Sequence, residues 1–247
     1  MKKILAPVLF LWFIVGCESE SQLTFEPLLL NGETCATCPS IEINVPNAID
    51  GSSVATAINR SLSEEIISLL SFSEGQGDID TAEKAIASFT NSYKELKSKF
   101  PDEMAWEAKI NGDVVYEDAN MVTVSVNSYS YTGGAHGYAS TSFLNFDKKR
   151  GVELDTPDLF DDIEGFEKLA EAQFRTQEKV PEDKNINATG FMFEGDAFHL
   201  PYNVGYTPDG IQLIYNQYEV ASYADGPIVL TLPYVEANKY LKLKVEP

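Results

Sequence analysis

The period of the hydrophobic positions changes along the chain, and each change marks an element. Gln22 to Leu30 carries Leu23, Phe25, Leu28, Leu29 and Leu30 and reads as a first strand, with Asn31-Gly32 as a turn. Ser40 to Val45 alternates apolar and polar residues, which predicts a second strand ended by Pro46-Asn47. Between Ala48 and Leu70, residues Ile49, Ala57, Ile58, Leu62, Ile66, Leu69 and Leu70 recur mostly at spacings of three and four, so they gather on one helix face. Gly75-Gln76-Gly77-Asp78 breaks the chain. Asp80 or Thr81 then caps a second helix to Phe100, with Ala82, Ile86, Phe89, Tyr93 and Leu96 inward and Pro101 as its stop.

From Met104 the period becomes two. Trp106, Ala108 and Ile110 alternate with polar residues, Asn111-Gly112-Asp113 reads as a turn, and Val114 to Tyr116 and Met121 to Tyr131 read as two further strands. Tyr138 to Phe146 is the next strand, followed by a turn at Asp147–Gly151. Thr156 and Pro157 open a short turn, and Ile163 to Lys179 forms a third helix with Phe166, Leu169, Ala170 and Phe174 inward. A polar loop over Val180–Gly190 precedes strands at Phe198–Val204, Gln212–Tyr218 and Ile228–Leu232. Thr207-Pro208-Asp209-Gly210 is a turn, and Pro233 to Leu241 is a last short helix. The fold class that follows is α+β: an antiparallel sheet meander packed against helices, in two α+β subdomains.

One stretch does not fit this plain alternation. Tyr129-Ser130-Tyr131-Thr132-Gly133-Gly134-Ala135-His136-Gly137-Tyr138 holds three glycines, three tyrosines and one of two histidines. Glycine reaches φ > 0 and admits close backbone approach, so this is a shaped loop carrying an imidazole.

The first residues give an address. Lys2 and Lys3 precede a mostly apolar run from Ile4 to Val15, too short to span a membrane and of signal-peptide length. Val15-Gly16-Cys17 resembles a bacterial lipobox, which implies cleavage before Cys17 and a diacylglyceryl thioether on its sulfur; an ordinary secretory peptide is the alternative. Two or more acyl chains anchor stably, at about 0.8 kcal/mol per buried CH₂. Residues 17–22 would be a polar tether, and the chain would be exported and lipid-anchored in the bacterial envelope.

Charge narrows the partners. The chain carries 18 basic and 38 acidic residues, net −20; losing Lys2 and Lys3 would leave 16 basic residues and a net −22. Such a field repels nucleic acid and anionic lipid and speeds encounter with a cationic partner, and it also serves solubility. Cys35 and Cys38, in Cys35-Ala36-Thr37-Cys38-Pro39, are expected to pair as a structural disulfide in an oxidising compartment. A thioredoxin-like role wants a helix after the motif, whereas Pro39 and the strand-like Ile41–Val45 follow. A zinc site wants four ligands, and no second cysteine pair is present. No metal and no cofactor are expected.

Three segments together resemble known families. Tyr131-Thr132-Gly133-Gly134-Ala135-His136-Gly137 precedes Phe146-Asp147, Gly151-Val152-Glu153-Leu154 and Asp158-Leu159-Phe160. Later come Tyr218-Glu219-Val220-Ala221-Ser222-Tyr223-Ala224-Asp225-Gly226-Pro227 and Leu232-Pro233-Tyr234. This order is similar to the extracytoplasmic domain of RsiV-like, lysozyme-sensing anti-sigma factors. The preceding part resembles the accessory domain ahead of the catalytic domain in PdaC-like peptidoglycan deacetylases. The expected organisation is therefore a PdaC-like domain over residues 23–132 and an RsiV-like domain over 133–247. Gly133, Gly134 and His136 match the first family loop, and Tyr218, Glu219, Ala221, Tyr223 and Gly226 match the second. Ser222 stands where the family usually has proline, and Asp225 where it has a small residue.

The resemblance implies an envelope binding module, with a cationic protein such as lysozyme, or peptidoglycan, as candidate ligand. Its binding residues would be Gly133, Gly134, His136, Tyr218, Glu219, Tyr223 and Gly226. The segments that bind sigma factor or deacetylate glycan have no counterpart in the matched regions. His136 admits three roles: a ring bonded within the fold, a binding residue, or a general base. The last needs a proton donor within reach, and no Gly-x-Ser-x-Gly elbow exists, so no catalytic residue is assigned. His199, between Phe198 and Leu200, reads as structural. An envelope enzyme acting on peptidoglycan glycan or peptide, and a structural subunit of an envelope complex, are the alternatives.

Overall fold

The computed structural model describes residues 22–71 and 79–245. The leader, the lipidation position Cys17 and the break at Gly75–Asp78 lie outside the described residues. The two faces of one large sheet organise the rest. Its strands are β1 (Phe25–Asn31), β2 (Ser40–Ala48), β3 (Glu107–Glu117), β4 (Met121–Tyr131), β5 (Tyr138–Asp147) and β6 (Val152–Leu154), adjacent in that order. Two helices, α1 (Ser53–Leu70) and α2 (Ala82–Lys99), connect β2 to β3.

That connection explains the single departure from an antiparallel meander: β2 and β3 run parallel, while the other neighbours are antiparallel. Parallel neighbours need a long crossover, and the helix pair supplies it. Ser52 caps α1 by accepting from the Ala55 amide at 3.1 Å, and Thr81 caps α2 by accepting from Lys84 at 3.2 Å. The apolar face of α1 (Val54, Ile58, Leu62, Ile66, Leu70) packs with Ile41, Ile43, Val45, Ile110, Val122, Val124, Val126 and Phe146.

The opposite face of the sheet is half covered. There sits a three-stranded antiparallel sheet of β7 (Asn203–Thr207), β8 (Gly210–Tyr215) and β9 (Ile228–Leu232), with α3 (Ile163–Gln177) and α4 (Tyr234–Ala237). Its core is aromatic: Phe160, Phe166, Phe174, Phe193, Phe198, Tyr206 and Tyr215 are buried together. Asn145 joins the two sheets. Thr123 Oγ1 donates to its Oδ1 at 2.9 Å, and its Nδ2 donates to Val204 O at 2.8 Å. Gly205 leaves room for the Phe143 ring, which would lie 2.4 Å from a Cβ there. Covered on both sides, the first six residues of β4 are all buried. The expected boundary at 132/133 falls in the loop between β4 and β5, adjacent strands of one sheet.

Several boundaries differ from the sequence reading, each for a local reason. Asn111-Gly112-Asp113 is no turn: β3 runs through it, with Gly112 opposite Val126. A side chain there would meet Pro46 Cδ at 3.0 Å and Val45 Cγ1 at 3.1 Å, so glycine serves a close strand approach. The turn instead lies at Asp118–Asn120, where Asp118 Oδ1 accepts from the amides of Asn120 and Met121.

Pro46 does not end β2. It pairs opposite Pro27, beyond the last β2–β3 pair at Asn44–Asn111, where a missing N–H breaks no bond to β3. Helix α1 begins at Ser53, not Ala48, because Ala48 still pairs with Phe25 and Gly51 turns the chain at φ +74°. At the short turn, Asp155 occupies the cap position; the Thr156 hydroxyl donates to Tyr202 O instead. Phe198–Tyr202 is not strand, since Tyr215 and Thr156 hydroxyls take the His199 and Tyr202 carbonyls. Strand β8 ends at Tyr215, before the expected Tyr218, and the last helix stops at Ala237.

Candidate binding site

Two loops meet at one end of the molecule. The first, 132–137, joins β4 to β5; the second, 216–227, joins β8 to β9. In the first, Gly133 and Gly134 take φ of +97° and +91°, a pair of left-handed residues that only glycine adopts freely. A side chain at Gly133 would also strike Glu103 Oε1 at 2.6 Å. Tyr131 donates its hydroxyl to Gly134 O at 3.1 Å, and the Tyr129 ring lies over Gly137. The loop therefore has a fixed shape and presents His136 outward, exposed.

Asn216 fastens the second loop to the first sheet. Its amide group mimics a strand: Nδ2 donates to Thr141 O at 3.1 Å and Oδ1 accepts from Thr141 N at 2.9 Å. The Asn216 backbone N–H donates to Glu219 Oε2 at 2.9 Å, closing a tight turn in which Tyr218 takes φ +69°. Further on, Asp225 Oδ2 accepts from Ser222 N and Oγ, a capping box that sets the angle of Tyr223. Ser222 and Asp225, the two departures from the family pattern, thus bond to each other. Gly226 then leaves the turn at φ +73°.

The result is a surface cluster of three rings. His136 stacks on Tyr223 with centroids 3.8 Å apart and planes 19° apart. Tyr218 is 5.6 Å from Tyr223 and 6.5 Å from His136 by centroid. His136 Nδ1 lies 3.3 Å from the Gly137 carbonyl and Nε2 lies 3.4 Å from the Tyr218 hydroxyl; with the proton on Nδ1, that nitrogen donates to the carbonyl and Nε2 accepts from the phenol. Those two groups are the hydrogen-bond partners of the ring among the described residues. His136 and Tyr218 are exposed and Tyr223 is half-buried beneath them; surface rings held by fixed loops can stack on a flat or cationic group.

Glu219 has a different place from the one its sequence suggests. It is half-buried beneath the loop, with Oε2 on the Asn216 amide; among the described residues Gln217 Oε1 beside it is buried without a hydrogen-bond partner. Burial pushes its carboxyl above the usual range, while the Asn216 amide opposes the shift. The same charge, after burial, helps raise the Tyr138 phenol. Glu219 therefore positions Tyr218 rather than offering an open carboxylate. His199 is part of the aromatic core, edge-on to Phe193 at 5.3 Å, with Nδ1 3.1 Å from Leu200 O. Cys35 and Cys38 form a disulfide in the β1–β2 connection. Asn216 was not singled out in the sequence, where nothing marks a side chain that completes a strand 75 residues away.

Among the described residues, no group of three or more His, Cys, Asp or Glu is placed to hold a metal ion, and no helix is long and apolar enough to cross a membrane. Residues 33–139 match the family model described as Deacetylase PdaC, and residues 156–235 match that described as Protein of unknown function (DUF3298). The curated proteins contain no match. Among solved structures, a DUF3298-family member from Bacteroides fragilis is similar over 90% of this chain and 94% of its own, with TM-score 0.67 and 23% identity. A DUF3298-family protein from Pseudomonas aeruginosa PAO1 is similar over 91% and 97%, with TM-score 0.64 and 20% identity. The chain thus joins a PdaC-type segment to a DUF3298-type segment, on the α+β fold of DUF3298-family proteins.

Proposed function

We propose that this protein is an envelope binding module, held to a membrane by acyl chains on Cys17, that uses the His136–Tyr218–Tyr223 cluster to grip a cationic protein of the lysozyme type. The observation that carries the reading is the ring cluster itself: two loops from different sheets are built to expose it. Tyrosine is enriched among residues that dominate binding energy. The net charge of −20 favours encounter with a basic partner. Gly133, Gly134 and Gly226 shape the loops, His136, Tyr218 and Tyr223 make contact, and Glu219 braces Tyr218. Titrating the protein with lysozyme at low and high salt tests this; absence of binding at low salt overturns it.

A second reading follows from the match of residues 33–139 to the family described as Deacetylase PdaC, together with the resemblance to peptidoglycan deacetylases. In it, the protein acts on, or binds, peptidoglycan at the same rim. Incubation with peptidoglycan and mass spectrometry of the products decides: new products lost in His136→Ala favour the enzyme.

A further inference from the structure

The half of the large sheet left uncovered by β7–β9 has its own pattern. Three rows of side chains cross it, each residue opposite the next. Leu29, Asn44, Asn111, Asn127 and Thr141 form one row across five strands. Beside it run Asn31, Glu42, Lys109, Tyr129 and Ala139, and then Ser40, Glu107 and Tyr131. Asparagine is depleted in strands because its amide competes with the ladder. Three asparagines in register on adjacent strands are therefore costly for the sheet. They stand about 4.8 Å apart, the strand spacing, and all three are exposed.

Among the described residues the side-chain amides of Asn44 and Asn111 make no hydrogen bond, and both side chains face solvent. Asn127 is held in place: Thr141 Oγ1 donates to its Oδ1 at 2.9 Å, and its Nδ2 donates to Ser125 at 3.3 Å. Tyr129, 37% exposed, offers ring surface in the next row. The row of asparagines itself carries no charge; in the two rows beside it Lys109 pairs with Glu107 at 2.7 Å and lies near Glu42, which leaves one acid in excess.

We infer that this open face, centred on Asn44, Asn111 and Asn127 with Tyr129 beside them, is a second binding site, and that its ligand is an uncharged glycan strand. A primary amide donates and accepts at once, which matches neighbouring sugar hydroxyls, and a phenol ring covers a pyranose face. A row with no net charge suits a neutral ligand, and the anionic chain repels polyanions. Large apolar side chains on this face are few, Leu29 and Tyr129 being the exposed ones, so it lacks the apolar centre of a protein interface. The site adjoins the ring cluster through Tyr129, which lies against Gly137, but shares no contact residue with it.

The test is calorimetric titration of the purified protein with hexamers of N-acetylglucosamine and of glucose, beside Asn44→Thr and Asn111→Thr. Threonine favours strands, so neither variant threatens the fold. Each is expected to weaken hexamer binding about tenfold, the upper part of what one hydrogen bond contributes. Melting temperature and lysozyme binding should be unchanged. If the wild type binds neither hexamer at millimolar concentration, or if both variants bind as the wild type does, the site is refuted. A fall in melting temperature without glycan binding would make the row structural and refute it too. Failure of the lysozyme titration alone would leave this inference standing, because the ring cluster is untouched by these substitutions.

Discussion

His136 and Tyr223 lie ring on ring, 3.8 Å between centroids, although one belongs to the loop of the large sheet and the other to the loop of the small one. The stack exists only because Asn216 ties the second loop to β5 and the Asp225 capping box orients Tyr223. It is held by backbone-shaped loops, so its removal should leave the fold intact. Tyr223→Ala is expected to lower stability by about 0.5–1.5 kcal/mol, the contribution of one aromatic pair. Lysozyme binding should weaken by about 2 kcal/mol if the ring is an anchor. Urea denaturation and calorimetric titration read the two effects separately.

Asn145 offers a sharper structural test. It is 2% exposed and bonds to Thr123 in the large sheet and Val204 in the small one. Asn145→Ala would leave a buried hydroxyl and a buried carbonyl without partners, at about 1–3 kcal/mol each. Loss of stability well above 1 kcal/mol in denaturant unfolding is expected, with a single transition retained because the two sheets share this seam.

Stability should also depend on pH in a stated direction. Burial raises the carboxyl of Glu153 above 4.5, with Asp155 and Glu64 adding to the shift and the Ser61 hydroxyl and Arg60 opposing it. Burial raises Glu219 likewise. Both groups therefore hold protons more tightly folded than unfolded, so stability falls as pH rises from about 4.5 through their folded values. Glu33, Asp50, Asp80 and Glu95 shift downward, but they are on the surface, where solvent screens the gain. Glu153→Gln and Glu219→Gln should each flatten the loss, measured as urea midpoints from pH 4.5 to 7. Unchanged slopes in both would contradict the assignment.

The disulfide should matter little to the fold. Cys35 and Cys38 are three residues apart in sequence, and a loop so short removes little unfolded-state freedom. Cys35→Ser with Cys38→Ser is expected to cost at most about 2 kcal/mol, read as a small drop in melting temperature.

The sequence carried the elements well where period and cap agree. Thr81 and the inward stripe of α2 needed only local information, and so did Phe166, Ala170 and Phe174 of α3. What it hid was relational. Asn111-Gly112-Asp113 has the composition of a turn, and only the approach of Val45 and Pro46 shows why a strand needs glycine there. The parallel pairing of β2 with β3 spans two helices and leaves no local mark.

At the site, the resemblance brought His136 and Tyr223 together in advance, but periodicity alone could not. The resemblance also named Glu219 as a contact residue, and only its burial and its bond to the Asn216 amide show a carboxylate turned inward to brace the loop. The asparagine row was invisible for the same reason: Asn44, Asn111 and Asn127 each come from a different strand.

The most direct measurement is a calorimetric titration of lysozyme into the wild type and into the double variant His136→Ala, Tyr223→Ala, at low and at high salt. Binding by the wild type that weakens with salt and is lost in a folded double variant is the expected result. No binding at low salt, or undiminished binding by the double variant, would contradict the account.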